Sequence, residues 1–275
     1  MNNLQNLCQK TSIADSLKYN FELNDSDFNY ISKSTKFSSI LKLNAQEQVG
    51  FMDRLIEDLR GHRPVQYCLG EACFMDLELY VDERVLIPRP ETEELVSWVL
   101  RICKDEGSRV LDIGTGSGAI ALALRHARPD WKITGIDNSP EALQVANINA
   151  AKYNLSVDWL RLDFLNGAHF LQGPWDIIVS NPPYVAALES EHLDPEVLQF
   201  EPLQALFASG ADPDIFYTVI ARYALANLAE GGRVFVELNE FRYTLIRQIF
   251  SAMPFREIQL GRDMQGKNRM LMAIK

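Results

Sequence analysis

The sequence predicts an α/β protein in which a doubly wound, mainly parallel sheet follows a smaller helical region. From Arg109 onward, short apolar runs alternate with amphipathic segments, which is the strand and helix order of a parallel sheet. The first run ends in the glycine-rich segment Gly114–Gly118, typical of a tight strand-to-helix turn. The 275 residues, 47% hydrophobic and 23% charged, suffice for such a domain plus a smaller one.

Residues 1–75 are predicted to form an N-terminal helical domain. Its clearest helix begins after Asn44, because Glu47 three residues later completes a capping box. Gly61, as a left-handed cap, and Pro64 are expected to end this helix. Shorter helices are predicted within residues 16–30 and 37–43.

Between Tyr67 and Ile87 the sequence becomes rich in aromatic and β-branched residues with a period of two, which predicts a β-hairpin joining two domains. We assign residues 76–89 to this hairpin linker and residues 90–275 to the larger domain. A helix is predicted to begin at Pro90, with acidic residues in its first turn.

Seven strands are predicted in the larger domain, at residues 109–113, 131–136, 157–162, 175–180, 233–238, 257–260 and 269–274. Helices are predicted between them, at residues 119–126, 140–153, 214–228 and 242–253. The last two strands should form an antiparallel pair, which would make the sheet mixed.

Composition excludes several classes of protein. The net charge of −10 disfavours a protein that clamps a long stretch of duplex, because Lys and Arg supply most of such affinity. The N-terminus lacks a targeting segment, and no window approaches the roughly 18 apolar residues of a membrane span, so we expect a cytoplasmic protein. The four cysteines and four histidines are dispersed, so neither a disulfide framework nor a metal site is expected.

Three segments are expected at the carboxyl ends of neighbouring strands, where such sheets bind ligands: Gly114–Gly118, Asp137 and Asn181–Tyr184. Glycines allow close backbone approach, and Asp137 is placed to accept ribose hydroxyls. Alone, this pattern could serve NAD, FAD or S-adenosylmethionine. Its Gly-x-Gly-x-Gly spacing differs from the G-x-G-x-x-G of dinucleotide binders.

Two further acidic positions suit an adenosine-methionine ligand. Asp112 could serve an amine or a bridging water, and Asp163–Phe164 could serve the adenine ring. Each also has a purely structural interpretation, as a helix N-cap or as a packed core aromatic.

The segment Asn181-Pro182-Pro183-Tyr184 has its own chemistry. Two prolines fix φ and remove two N–H donors, which leaves carbonyls and one carboxamide. Such acceptors suit a planar NH₂ group, with Tyr184 as a flat wall beside it. Alone, the segment could equally be a loop that ends a strand.

Together, Asp112–Gly118 and Asn181–Tyr184 resemble the class I amino-methyltransferases. Four further segments are similar to the peptide chain release factor glutamine methyltransferases, the HemK/PrmC family: Arg63–Gly70, Val85–Glu93, Glu201–Leu206 and Asp263–Arg269. The resemblance runs from about residue 60 to the C-terminus. One departure is the segment after the fifth strand, Glu237–Phe241, which lacks the family's Glu-x-Gly and the Gln that follows it.

The resemblance implies a Rossmann-like, seven-stranded class I methyltransferase sheet, mostly parallel with one antiparallel strand, and a small N-terminal helical domain joined by a β-hairpin. It implies methyl transfer from S-adenosylmethionine, giving S-adenosylhomocysteine, to the side-chain amide nitrogen of the glutamine in the Gly-Gly-Gln motif of class 1 release factors. Residues 1–75 would dock that partner. We expect a monomer without direct DNA or membrane binding.

Site residues follow from the motifs and the resemblance. The predicted catalytic residues are Asn181, Pro182 and Tyr184, and the predicted substrate-binding residues are Asn181, Pro182, Pro183 and Tyr184. The predicted cofactor-binding residues are Gly114, Thr115, Gly116, Ser117, Gly118, Asp137, Asp163, Phe164 and Asn181. No metal is expected. The Asn181 side-chain oxygen and the Pro182 carbonyl would accept the two amide hydrogens of the substrate.

Four other functions share part of this sequence pattern. A glutamine methyltransferase for a ribosomal protein would share the chemistry. A DNA adenine amino-methyltransferase would also suit Asn181–Tyr184, but residues 1–84 hold 9 Lys and Arg against 13 Asp and Glu, a charge of 9 − 13 = −4. The chain could also be a nicotinamide-dependent oxidoreductase, but no Tyr-x-x-x-Lys helix follows its glycine turn to support that function. A catalytically silent cofactor-binding module is the remaining alternative.

Overall fold

A computed structural model of the chain describes residues 25–185, 191, 193–208 and 212–275. The first part of the predicted N-terminal helical domain, residues 1–24, lies outside this range. The predicted helix within residues 16–30 is therefore seen only from Asp25, where helix α1 (Asp25–Lys33) begins.

Three more helices follow in the N-terminal region: α2 (Thr35–Ile40), α3 (Ala45–Arg60) and α4 (Val65–Leu69). Together with α1 they enclose a small core of buried apolar side chains, Ile31, Phe37, Leu55, Val65 and Leu69. The capping box of α3 is confirmed, because the Asn44 side chain accepts from the Glu47 backbone N–H and the Glu47 side chain accepts from that of Asn44.

The predicted left-handed cap at Gly61 is wrong. Gly61 has φ −77°, and the left-handed residue is His62, with φ 60°. The reason is that the Gly61 N–H still bonds to the Glu57 carbonyl, so the chain reverses one residue later.

The predicted hairpin is confirmed over a shorter range. Strands β1 (Ala72–Phe74) and β2 (Leu77–Leu79) pair antiparallel, with Phe74 opposite Leu77. Tyr67, which we placed in the hairpin, lies in α4 instead. That helix ends at Gly70, whose φ of 68° is the left-handed geometry that favours glycine. The division of the chain into domains stays a prediction.

The large sheet has seven strands: β3 (Arg109–Ile113), β4 (Lys132–Asp137), β5 (Asp158–Arg161), β6 (Trp175–Ser180), β7 (Leu228–Glu237), β8 (Glu257–Arg262) and β9 (Asn268–Ile274). Their spatial order is β5-β4-β3-β6-β7-β9-β8. Only β9 runs antiparallel to its neighbours within this sheet. The predicted fold class, a mostly parallel Rossmann-like sheet with one antiparallel strand, is confirmed.

Helices cover both faces of the sheet: α5 (Pro90–Ile102), α6 (Ala119–Ala127), α7 (Pro140–Lys152), α8 (Phe164–Gly167), α11 (Ile215–Asn227) and α12 (Tyr243–Ser251). Two short helices, α9 (Pro195–Phe200) and α10 (Leu203–Leu206), lie in the connection between β6 and α11. Adjacent strand residues face opposite layers. Val110 packs in the core formed with α5 and α6, whereas Leu111 packs in the core formed with α11 and α12. The sheet is therefore buried on both sides.

Strand register brings the carboxyl ends of three central strands level. Ile113 at the end of β3 pairs with Ile136 of β4 on one side and with Ser180 of β6 on the other. The chain leaves β3 toward β4 and β5 and later returns to β6 on the opposite side, so the crevice above β3 and β6 is a topological switch point. Within the described residues, no helix is long and apolar enough to cross a membrane.

Candidate active site

The glycine turn after β3 is held by backbone hydrogen bonds and opens beside two of its glycines. The N–H groups of Gly114 and Thr115 both donate to the Ile136 carbonyl at 2.9 Å. Gly114 and Gly116 have φ of 73° and 55°. A Cβ added at Gly116 would meet no atom within 4 Å, and one at Gly114 would meet only the Asn181 carbonyl oxygen, at 4.0 Å. These two glycines therefore form a cradle open to a ligand.

The third glycine has a different role. A Cβ at Gly118 would lie 3.1 Å from Leu122, 3.1 Å from Trp159 and 3.2 Å from Ala146. Its φ is 82°, and it is the N-cap of α6. Gly118 thus lets α6 pack closely against α7 and the sheet, which is a structural function.

The side chains of the glycine turn point inward. Thr115 and Ser117 are buried, and the Thr115 hydroxyl donates to Asp112 at 2.6 Å. Asp112 itself is fully buried, and burial raises its pKa to about 7. Among the described residues, its second oxygen Oδ1 has no hydrogen-bond partner. Asp112 therefore shapes the turn from within, and the turn offers a ligand its backbone.

Asp137, at the end of β4, borders the cradle. One carboxylate oxygen accepts the Gly116 N–H at 2.9 Å, and the other accepts the Ser139 N–H at 3.0 Å. Burial raises the pKa of this carboxyl above its usual value. Each oxygen keeps acceptor capacity for a hydroxyl group, because a carboxylate oxygen can accept more than one hydrogen bond.

Asp163 and Phe164 fill the structural roles that the sequence left open. The exposed Asp163 caps α8, accepting the Leu165 N–H at 3.0 Å and the Asn166 side-chain N–H at 2.7 Å. The Phe164 ring is 4% exposed and packs edge-on against Tyr223, with the ring centroids 5.3 Å apart. Their cofactor contacts stay predictions.

The Asn181–Tyr184 segment adjoins the glycine turn. Ser180, just before it, donates its hydroxyl to the Ile113 carbonyl at 2.8 Å, which ties the ends of β6 and β3 together. The Asn181 carbonyl is the neighbour of Gly114 noted above. The acceptor segment and the cradle thus lie side by side at the switch point.

A buried hydrogen-bond network supports this segment from behind. The Asn181 side-chain nitrogen donates to the Thr92 hydroxyl at 3.0 Å, and the Thr92 hydroxyl donates to Glu237 Oε2 at 2.6 Å. The Tyr184 hydroxyl donates to Glu237 Oε1 at 3.2 Å. Glu237 is 1% exposed, and burial raises its pKa to about 7, although the hydrogen bonds from Thr92 and Tyr184 act in the opposite direction.

A second polar pair joins two of the segments that carried the family resemblance. Arg89 forms a salt bridge with Glu201, whose side chain is almost fully buried and also accepts the Ile87 N–H at 3.2 Å. Further along, the Val185 N–H donates to the Leu206 carbonyl at 3.0 Å. The segments around Arg89 and Glu201 thus meet beside the Asn181–Tyr184 loop.

Asn149 connects the hairpin region to the glycine turn. It is fully buried on α7, and its side-chain oxygen accepts the Tyr80 N–H at 2.6 Å. Its side-chain nitrogen donates to the carbonyls of Tyr80 and Ser117, both at 3.0 Å. One side chain therefore fixes the residue that follows β2 and the turn that follows β3.

Thr92, Glu237 and Asn149 were not identified from the sequence. Thr92 lies in the segment Arg89–Glu93, which we interpreted as a helix start, and Arg89 makes no side-chain cap there. The family resemblance included the segment that holds Thr92, which was the available signal there, whereas it marked Glu237–Phe241 only as a departure from the family. No sequence signal pointed to Asn149, since an Asn within a helix usually faces solvent. Among the described residues, no group of three or more His, Cys, Asp and Glu side chains could hold a metal ion.

Comparisons with known proteins identify the family of the chain. A family model described as "Methyltransferase small domain" matches residues 95–200. The release factor glutamine methyltransferase of Streptococcus pneumoniae is 39% identical over 233 residues, which cover 84% of this chain and 82% of that protein. That of Buchnera aphidicola is 34% identical over 276 residues, covering 97% of this chain and 95% of that protein.

Solved structures show the same fold. A methyltransferase from Pyrococcus furiosus superposes with a TM-score of 0.56 at 17% identity, covering 79% of this chain and 98% of that one. The 16S rRNA N2 G1207 methyltransferase of Thermus thermophilus, solved with AdoMet and guanosine, has a TM-score of 0.54 at 20% identity, covering 74% of this chain and 49% of that one. At these identities the likeness concerns the fold alone.

Proposed function

Because the chain belongs to the release factor glutamine methyltransferase family, we propose that it methylates class 1 peptide chain release factors. The methyl group passes from S-adenosylmethionine to the side-chain amide nitrogen of the glutamine in their Gly-Gly-Gln motif. The observation that carries this proposal is the position of Asn181, whose backbone carbonyl lies next to Gly114 of the cradle and whose carboxamide nitrogen is held by Thr92.

The acceptor end suits an amide NH₂ group. Thr92 engages the nitrogen of the Asn181 carboxamide, so the side-chain oxygen is the atom that serves an incoming donor. The next residue, Pro182, has no N–H and supplies a second acceptor, its carbonyl. Two acceptors in sequence match the two hydrogens of one NH₂ group.

The residues at the switch point fit S-adenosylmethionine. The open space beside Gly114 and Gly116 lets a ligand approach their backbone, and Asp137 borders that space with oxygens able to accept ribose hydroxyls. When bound, the cofactor supplies a methyl group on a positively charged sulfur, which is an electrophile. The remaining proposed contacts are from Thr115, Ser117, Gly118, Asp163, Phe164 and Asn181.

Orientation of the amide is the main catalytic task of the protein. The lone pair of a glutamine amide nitrogen is delocalised into its carbonyl, so the site must hold that nitrogen in line with the methyl group. The Asn181 oxygen and the Pro182 carbonyl accept the two hydrogens and draw electron density onto the nitrogen as the new bond forms. Tyr184, with Pro183 beside it, packs on the amide plane. The proton that the methylated nitrogen must lose passes to water.

Docking of the partner falls to the N-terminal helices in this proposal. Residues 1–75 would form the docking domain, residues 76–89 the linker and residues 90–275 the methyltransferase domain. The separate small core beneath α1 to α4 supports this division. Release factors act in the cytoplasm, and we infer that a monomer of this enzyme meets them there without binding DNA or a membrane.

The test is a methylation assay with S-adenosylmethionine labelled on its methyl group. Three acceptors are offered separately: a class 1 release factor, the same factor with its motif glutamine changed to asparagine, and a DNA duplex. We expect label only on the unaltered factor, located at the motif glutamine by mass spectrometry. Label on the duplex, or undiminished label on the altered factor, would contradict the proposal.

A further inference from the structure

Glu237 lies behind the acceptor segment, where it bonds directly to Tyr184, and Thr92 stands between Glu237 and Asn181. We propose that Glu237 is a positioning residue that acts through Thr92 to fix which end of the Asn181 carboxamide faces the substrate. This inference rests on the proposed function and adds to it a cause for the orientation of Asn181. The three side chains come from distant parts of the chain: the start of α5, the end of β6 and the end of β7.

The Thr92 hydroxyl has a single proton to donate. An ionised carboxylate can only accept hydrogen bonds, so at 2.6 Å from Glu237 Oε2 the hydroxyl must donate its proton there. Toward Asn181 the hydroxyl then has only a lone pair to offer. The NH₂ end of Asn181 satisfies that lone pair, at 3.0 Å, and its oxygen is left for the substrate.

An amide group needs such a constraint because its two ends have nearly the same shape. A rotation of 180° exchanges oxygen and nitrogen with little change in packing. If Glu237 were protonated, or replaced by a group that does not demand the Thr92 proton, Thr92 could donate to the Asn181 oxygen. The NH₂ of Asn181 would then face the NH₂ of the substrate, and two donors cannot bond to each other.

The surroundings of Glu237 come from four elements. Thr92 and Glu91 lie on α5, Tyr184 follows β6, Tyr217 lies on α11, and Arg269 lies on β9. The Tyr217 hydroxyl donates to the Glu237 backbone carbonyl at 2.9 Å, so it holds the strand and leaves the carboxylate to Thr92 and Tyr184.

The balance of these effects gives Glu237 a pKa within the pH range of an enzyme assay. Burial is the largest effect and raises its pKa to about 7; the positive charge of Arg269 lowers that pKa, and the negative charge of Glu91 raises it. The carboxylate form, which orients Asn181, therefore predominates only above about pH 7. We expect kcat to rise with pH across that range.

The experiment measures single-turnover rates of release factor methylation between pH 5.5 and 9 at saturating cofactor. Thr92→Val should lower the rate about tenfold, the equivalent of one hydrogen bond, and flatten its dependence on pH. Thr92→Ser keeps the hydroxyl and should recover the wild-type rate and profile. Glu237→Gln cannot ionise and should give a reduced rate without the rise near pH 7.

Two controls separate positioning from general damage to the fold. Tyr217→Phe removes the neighbouring hydrogen bond to the Glu237 backbone carbonyl and should leave the rise in rate near pH 7 in place. Binding of S-adenosylmethionine, measured by calorimetry at each pH, should be the same in Thr92→Val and the wild type. This control matters because Asp112 also has a pKa raised to about 7 and lies at the cofactor turn.

The possible outcomes separate this inference from the proposed function. If the wild-type protein methylates the motif glutamine but Thr92→Val and Glu237→Gln keep its rate and profile, the positioning role is wrong and the function stands. A Thr92→Ser rate as low as that of Thr92→Val would also overturn the positioning role. If the wild-type protein leaves the release factor unmethylated, both the function and the inference fail.

Discussion

The backbone N–H of Gly116 donates to the Asp137 carboxylate at 2.9 Å, which joins the turn after β3 to the end of β4. Gly116 is also the turn residue with open space where a Cβ would be. A ligand in this cradle would therefore contact a backbone whose shape is held by the same carboxylate that borders it. This arrangement leads to a test of the cofactor site that does not depend on catalysis.

Gly116→Ala should weaken S-adenosylmethionine binding by about tenfold or more, because its Cβ would occupy the space that the ligand needs. The variant must also hold alanine at φ 55°, which should cost about 1 kcal/mol of folding stability. Gly107→Ala is the matched control, with φ 68° and no atom within 4 Å of its Cβ, at the opposite end of β3. Calorimetric titration and urea unfolding provide both measurements. Equal cofactor affinity in the two variants would refute the cradle.

Asn181→Ala should lower kcat on the order of 10²-fold, the loss seen when one oriented polar group is removed from a transition state. Cofactor affinity should change far less, because the backbone next to Gly114 remains. Asn147→Ala, at an exposed position of α7, serves as the control. Steady-state rates with a release factor and equilibrium binding of the cofactor give the two quantities. Near wild-type turnover in Asn181→Ala would disprove its catalytic role.

Asp163→Ser separates the two roles considered for Asp163. Serine is as good an N-cap as aspartate, so the free energy of unfolding should stay within about 0.5 kcal/mol of the wild type. If the carboxylate contacts the cofactor, losing that charge-assisted hydrogen bond should raise the dissociation constant about tenfold. We expect this weakening, measured by calorimetry. An unchanged dissociation constant would leave Asp163 with its capping role alone.

Asp112→Asn should stabilise the protein at pH 8. The folded-state pKa of Asp112 is raised to about 7 by burial, from 3.8, so the folded protein holds this proton more tightly than the unfolded chain. Stability from this group is therefore fully present below about pH 4 and is lost as pH rises to about 7. The amide carries no charge, and Thr115 can still donate to its oxygen.

The expected gain for Asp112→Asn is on the order of 4 kcal/mol in the free energy of unfolding at pH 8, and it should shrink at pH 5. Urea denaturation at both pH values measures it. A variant that is less stable than the wild type at pH 8 would show that the ionised carboxylate is well satisfied in the fold.

The sheet was predictable because burial on both faces makes its parallel strands read as continuous apolar runs, as in Trp175–Ser180. The helices α8, α9 and α10 were missed because segments of four to six residues are too short to show a helical period. The reversal at His62 was missed because glycine statistics favoured Gly61, whereas the hydrogen bond to Glu57 set the end of the helix.

Only the segments of the candidate site that face the ligand were predictable from the sequence. Gly114–Gly118 and Asn181–Tyr184 each follow a strand, and Asp137 is the last residue of one. Ligands of such sheets bind at the carboxyl ends of the strands, so these segments were expected at one edge. The support behind them was not predictable, since Thr92 and Glu237 are 145 residues apart and no local pattern relates them. The packing of Phe164 was not predictable for the same reason, because its partner Tyr223 lies 223 − 164 = 59 residues later in the chain.

Asn149 has a consequence for redesign of this enzyme. Its side chain accepts from the Tyr80 N–H and donates to the Ser117 carbonyl, so the region that follows the hairpin and the glycine turn share one anchor. An N-terminal domain transplanted with its hairpin from another enzyme, to recruit a different protein, must therefore place a backbone N–H and carbonyl where residue 80 now has them. Grafts that ignore this requirement will leave the Ser117 carbonyl and the backbone at residue 80 without their shared anchor.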